Sequence, residues 1–127
     1  MSATKENRAI YSTFGGDPDL GELVEMFVEE MPDRIAALQQ AFDCGDVKGL
    51  RCLAHQLKGS AGSYGFDQLT PLAAAVEFSA SENEPEETIQ KTLQELIGAC
   101  QQVRAGTPDG YRLEASQRKA ILAEKGA

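Results

Sequence analysis

Asp46-Val47-Lys48-Gly49-Leu50-Arg51-Cys52-Leu53-Ala54-His55-Gln56-Leu57-Lys58-Gly59-Ser60-Ala61-Gly62-Ser63-Tyr64-Gly65 decides how the chain folds, because its apolar residues recur at helical spacing. At about 100° per residue, Leu50, Leu53, Ala54, Leu57, Ala61 and Tyr64 gather on one side and form a core stripe. His55, the only histidine in the chain, falls on roughly the opposite side with Gly59 and Gly62, its neighbours on that face. The imidazole is therefore expected to face solvent.

Two glycines inside a helix give up on the order of 2 kcal/mol of helix propensity relative to alanine. Bare backbone beside His55 leaves room for a bulky group on another molecule, and it equally suits a close crossing between helices of this chain. Lys48, Arg51 and Lys58 flank the same face and make a local basic patch, or an ordinary solvated face, on a chain of formal net charge −8. Cys52 lies near that face too, a thiol at its rim.

Working outward, Asp46 reads as an N-cap and Gly65 as a terminator, so the central helix runs from Val47 to Tyr64 or Gly65. Upstream, Leu20, Leu23, Val24, Phe27, Val28 and Met31, then Ile35, Leu38, Ala41 and Phe42, keep the helical period. Pro32 interrupts them and predicts two helices, or one kinked helix, meeting near Met31. Gly15-Gly16-Asp17-Pro18-Asp19 is a turn leading in, with Ile10, Tyr11 and Phe14 available to pack on the bundle.

Downstream, Asp67 is placed to cap a helix with the inner stripe Leu69, Leu72, Ala73, Val76 and Ala80, ending near Ser81. Pro85 suits a first helical position, and Ile89, Leu93, Leu96, Cys100 and Val103 follow at steps of four and three before Gly106 stops the run. Short connections imply antiparallel neighbours. The expected fold is all-α: an antiparallel up-down four-helix bundle over 20–106 with an additional N-terminal helix or a kinked first helix, an N-terminal segment 1–19, and a C-terminal tail 107–127 in which 114–125 could form one short charged helix and which otherwise serves as a linker or a partner-specific addition.

The 127 residues suit one domain, and 42% hydrophobic residues with only 6% aromatics imply a mostly aliphatic core. No apolar run approaches a membrane span or a secretory signal, so a cytoplasmic protein off the membrane is expected. Strong acidity argues against nucleic acid. Cys44, Cys52 and Cys100 are odd in number and not closely paired, and with a single histidine neither a disulfide framework nor a metal site is suggested.

The run Ala54-His55-Gln56-Leu57-Lys58-Gly59, with Ser60-Ala61-Gly62 and Tyr64-Gly65-Phe66, resembles the signature of histidine-containing phosphotransfer domains, the Hpt family. It is also similar to the histidine-bearing first domain of chemotaxis histidine kinases. The resemblance spans about residues 10–106 and fixes a His, a Lys at +3, a Gly at +4 and small residues at +6 and +7. It implies that His55 is the phosphoacceptor, exchanging a phosphoryl group with the aspartyl phosphate of a response-regulator receiver domain in a relay fed by a histidine kinase. Lys58 would then neutralise phosphoryl charge, while Gly59, Gly62, Arg51, Lys48, Cys52 and Gln56 would meet the partner. Some chemotaxis-type members place a glutamate at the offset of Glu77, which on that likeness would hold Nδ1 of His55 and leave Nε2 as nucleophile.

Imidazole is a competent nucleophile at neutral pH, its reference pKa being about 6.5. No Walker loop, kinase Gly-rich loop or carboxylate cluster for Mg²⁺ is present in the sequence. A covalent carrier without cofactor or kinase activity of its own is therefore expected, usually monomeric in such a family. Two other readings stand beside it: a phosphoacceptor domain of a chemotaxis-type kinase, and an adaptor that binds receivers without being phosphorylated. The dimerisation domain of an ordinary sensor kinase fits less well, since an acidic residue typically follows its histidine and Gln56 follows His55 here.

Overall fold

A computed structural model describes residues 9–107. Four helices make up most of it: α1 (Gly21–Asp43), α2 (Val47–Ser63), α3 (Leu69–Ser81) and α4 (Glu86–Cys100). Two short strands, β1 (Ile10–Tyr11) and β2 (Val103–Arg104), flank them and pair in parallel, Ile10 opposite Val103 and Tyr11 opposite Arg104.

Of the two readings of Pro32, helix α1 sets aside the one with two separate helices. The helix runs unbroken through it for 23 residues. Proline has no N–H for the Val28 carbonyl one turn back, yet Pro32 itself is exposed, so the loss falls where solvent can reach. The run 20–43 therefore supplies one helix and no additional one, and the residues before it, 9–20, hold β1 and turns. In that lead-in Asp17 accepts from the Asp19 and Leu20 amides at 2.7 and 2.9 Å, and its carbonyl takes the Gly21 N–H at 2.8 Å. Leu20 and Leu23 do not complete the inner stripe; they are exposed, as is Met26.

Helix α2 opens where expected, on Asp46, whose carboxylate accepts the Gly49 N–H at 2.9 Å. Gly65 ends it at φ +81°, a left-handed conformation that lets the Phe66 amide reach back to the Ala61 carbonyl at 2.8 Å. Asp67 does not cap α3. The position before that helix is Gln68, with no side-chain capping bond, so Asp67 stands one residue too early. Pro85 likewise stands just before α4, whose first turn carries Glu86 and Glu87, suited to the positive end of the helix dipole. After Cys100 the chain leaves the helix for β2, so Val103 is buried as a strand residue.

The core lies between these four faces. Leu50, Ala54, Leu57 and Ala61 of α2 are buried against Leu69, Ala73 and Val76 of α3, with Leu93 and Leu96 of α4 and Phe27 and Leu38 of α1 closing it. Phe27 stacks on Phe66 at 5.3 Å between centroids and leans on Tyr64 at the same distance, which fixes the end of α2 to α1. Ala54 and Ala61 are fully buried, and their small side chains let α2 lie close along α3. The β pair works as a strap: Thr13 donates to the Gly65 carbonyl at 3.0 Å and Ser12 hydrogen-bonds the Tyr64 carbonyl, tying the N-terminal segment to the end of α2. No described helix is long and apolar enough to cross a membrane. The short helix expected over 114–125 lies outside the described residues.

Candidate functional site

With the stripe of α2 turned inward, His55 has no choice but to point out; its side chain is 64% exposed. Helix α3 lies alongside and brings Glu77 to it from 22 residues further on, with Glu77 Oε2 at 2.8 Å from His55 Nδ1. The other carboxylate oxygen of Glu77 meets Lys58 Nζ at 2.7 Å. One carboxylate thus bridges an imidazole and an ammonium that stand one turn apart on α2.

The bridge has an electrostatic consequence. The hydrogen bond from Lys58, and after it the one with His55, hold the Glu77 carboxyl below its ordinary range against a smaller upward push from burial. Glu77 is therefore ionised at neutral pH. An ionised carboxylate only accepts hydrogen bonds, so the contact puts the ring hydrogen on Nδ1 and leaves Nε2 of a neutral ring with a free electron pair.

Gly59 and Gly62 are both exposed beside this group. A Cβ built on Gly59 would meet nothing within 4 Å, and one on Gly62 would come only to 3.9 Å from Thr70 Oγ1. Internal helix crossing therefore does not require either glycine. They leave a low floor next to the imidazole, open to whatever approaches.

The remaining residues singled out in the sequence divide between two sides. Lys48 and Arg51 line a polar cleft of about 480 Å³ with Ala80, Ser81 and Asn83, where α2 begins and α3 ends. Gln56 turns the other way, into a groove of about 340 Å³ between α1 and α2 that includes Glu30, Asp33, Arg34 and Leu53. Cys52 is exposed on α2. Lys58, foreseen as a charge waiting for a phosphoryl group, is held by Glu77 in this state.

Sequence reading passed over Phe78, 61% exposed on α3 directly after Glu77. The signal was present: Phe78 falls outside the Leu69, Ala73, Val76, Ala80 stripe. Among the described residues no group of three or more His, Cys, Asp or Glu side chains is arranged to hold a metal ion. The family model described as Hpt domain matches residues 22–106. No curated protein and no solved structure matches the chain.

Proposed function

The chain belongs to the Hpt domain family, whose members carry out histidine phosphotransfer in phosphorelays and meet receiver domains and kinases there, and on that premise we propose that His55 is its phosphoacceptor. It would take the group from a receiver's aspartyl phosphate, or from a kinase, and pass it to another receiver. One observation carries the reading: the chain's single imidazole stands outward on α2 with its Nδ1 2.8 Å from a carboxylate.

The chemistry needs little else. The Nε2 electron pair attacks phosphorus, the bond from phosphorus to the donor carboxylate oxygen breaks, and its electron pair leaves with that carboxylate. The ring, still protonated on Nδ1, becomes cationic as the new N–P bond forms. Glu77 beside Nδ1 offsets that charge, and Lys58, one turn away, swings from Glu77 toward the phosphoryl oxygens. In the onward step the next receiver's carboxylate attacks phosphorus and Nε2 leaves as the neutral ring. Gly59 and Gly62 give the receiver's pocket the clearance to close over the imidazole.

We also infer the antiparallel up-down order of the helices. The connectors 44–46, 64–68 and 82–85 are short, and Phe27 in the first half of α1 packs on Tyr64 just past α2. We propose, on the family likeness, that the chain is a monomer.

Incubation with a phosphorylated receiver tests the assignment. The wild-type chain should acquire label that survives base and is lost in acid, and His55→Gln should acquire none. Label persisting in His55→Gln removes the assignment, and binding without label would make the protein an adaptor.

A further inference from the structure

Besides Lys58, which Glu77 holds at 2.7 Å, α2 carries two further cations, Lys48 and Arg51, and no acidic side chain between Val47 and Ser63. That helix is the exception in an acidic molecule. Residues 9–107 hold 16 acidic and 6 basic side chains, and three of the six fall between Lys48 and Lys58. Among the described residues neither Lys48 nor Arg51 has an ion-pair partner. Building on the phosphoacceptor reading of His55, we propose that Lys48 and Arg51 are the receiver's electrostatic contact. They meet the anionic surface around its phosphoaspartate and set how fast and how tightly it docks, not how fast the phosphoryl group moves.

Both residues stand where a docked partner reaches them. Arg51 lies one turn before His55 and Lys48 two, on the same face, about 6 and 11 Å back along the axis at roughly 1.5 Å per residue. They border the cleft of about 480 Å³ between the start of α2 and the end of α3, whose other polar residues are Asp46, Ser81 and Asn83. Asp46 is the one acid there, and its carboxylate is turned to the Gly49 amide at 2.9 Å as the cap of α2. The cleft therefore keeps a net positive charge. The groove on the α1 side of α2 has the opposite balance, Glu30 and Asp33 against Arg34, which already lies 3.5 Å from Glu30.

The chemistry of the donor supplies the complement. A phosphoryl group on an aspartate is anionic before transfer, and the carboxylate it leaves is anionic afterwards, so the receiver brings negative charge to His55 at either stage. A chain of net charge −8 repels such a surface at a distance. Two unpaired cations beside the imidazole turn the local field attractive, and exposed charges of this kind raise the association rate and fix register. Lys58 cannot do the same while Glu77 neutralises it.

Single-turnover transfer from a phosphorylated receiver to the full chain, measured across receiver concentrations and at two ionic strengths, tests this with Lys48→Glu/Arg51→Glu. The half-saturating receiver concentration should rise roughly tenfold or more and lose its dependence on salt, while the rate at saturation stays within about twofold of wild type. Lys91→Glu, a reversal on α4, which packs on α1 and α3, should leave the half-saturating concentration within about twofold. Unchanged half-saturation and salt dependence in the double variant would overturn the proposal. So would an equal loss in Lys91→Glu, which would make net charge alone responsible, or a fall confined to the saturated rate, which would place the two cations in the chemical step. Both side chains are exposed, so the fold should persist. If the double reversal did not fold, Lys48→Gln/Arg51→Gln should show a smaller rise of the same kind, and no rise there would be equally fatal. A wild type that takes no label on His55 refutes the phosphoacceptor reading and this contact with it; a labelled wild type with an indifferent double variant refutes the contact alone.

Discussion

At the scale of single residues the account turns on Glu77. A carboxylate shared between His55 Nδ1 and Lys58 Nζ orients the ring and parks the ammonium at once. Glu77→Ala frees both, so the neutral ring should shift toward the tautomer with hydrogen on Nε2, visible in ¹⁵N ring shifts, and transfer should slow by roughly tenfold, about 1.4 kcal/mol of barrier. An unchanged tautomer together with an unchanged rate would show that Glu77 is only a surface partner of Lys58. The same variant carries a pH signature. Because the folded-state pKa of Glu77 is lowered, its contribution to stability is full above the ordinary carboxylate range, around pH 4.3, and is lost as pH falls through the lowered value. The stability gap between wild type and Glu77→Ala should therefore be flat near neutrality and close in acid.

At the scale of elements, α2 is a helix that accepts poor helix formers on its outer face in exchange for clearance. Gly59→Gln meets open space, so it should fold and gain roughly 0.5 kcal/mol in helix propensity. Transfer from a receiver should nevertheless fall sharply, and undiminished transfer would mean that the receiver never closes over that turn. Gly65 is a glycine of the opposite kind. Its φ of +81° is left-handed, and an added Cβ would lie 2.6 Å from Ser12 Oγ and 2.7 Å from Thr13 Oγ1. Gly65→Ala should cost about 1–3 kcal/mol in denaturant unfolding, because the turn and the strap on it cannot both survive. Helix α2 could be read from the sequence almost to the residue, since a strong period, an Asp cap and a terminal Gly agree there. Pro32 left one helix or two open in the sequence, and one forms because a single missing hydrogen bond at an exposed turn is too small a loss to break a helix anchored on both sides by Phe27, Met31 and Leu38. The β1–β2 pair left no local trace, because two-residue strands 93 positions apart are specified by the packing of the helices between them.

At the scale of the whole molecule, the bundle serves to hold one ring still and facing outward. Its four helices enclose an aliphatic core from Val24 to Val103, and everything chemically active lies on the α2–α3 ridge above it. His55 and its neighbouring glycines were legible from α2 alone. The pairing of Lys58 with Glu77 was not, because it depends on how α3 lies along α2, which the spacing of neither helix states. Having a single histidine allows the central claim to be read directly. The chain, labelled with ¹⁵N in its one imidazole, is phosphorylated by a phosphorylated receiver and examined for ¹⁵N–³¹P coupling. Coupling to Nε2 with the hydrogen retained on Nδ1 is the expected result; coupling to Nδ1, or phosphorus attached to no ring nitrogen, would contradict it.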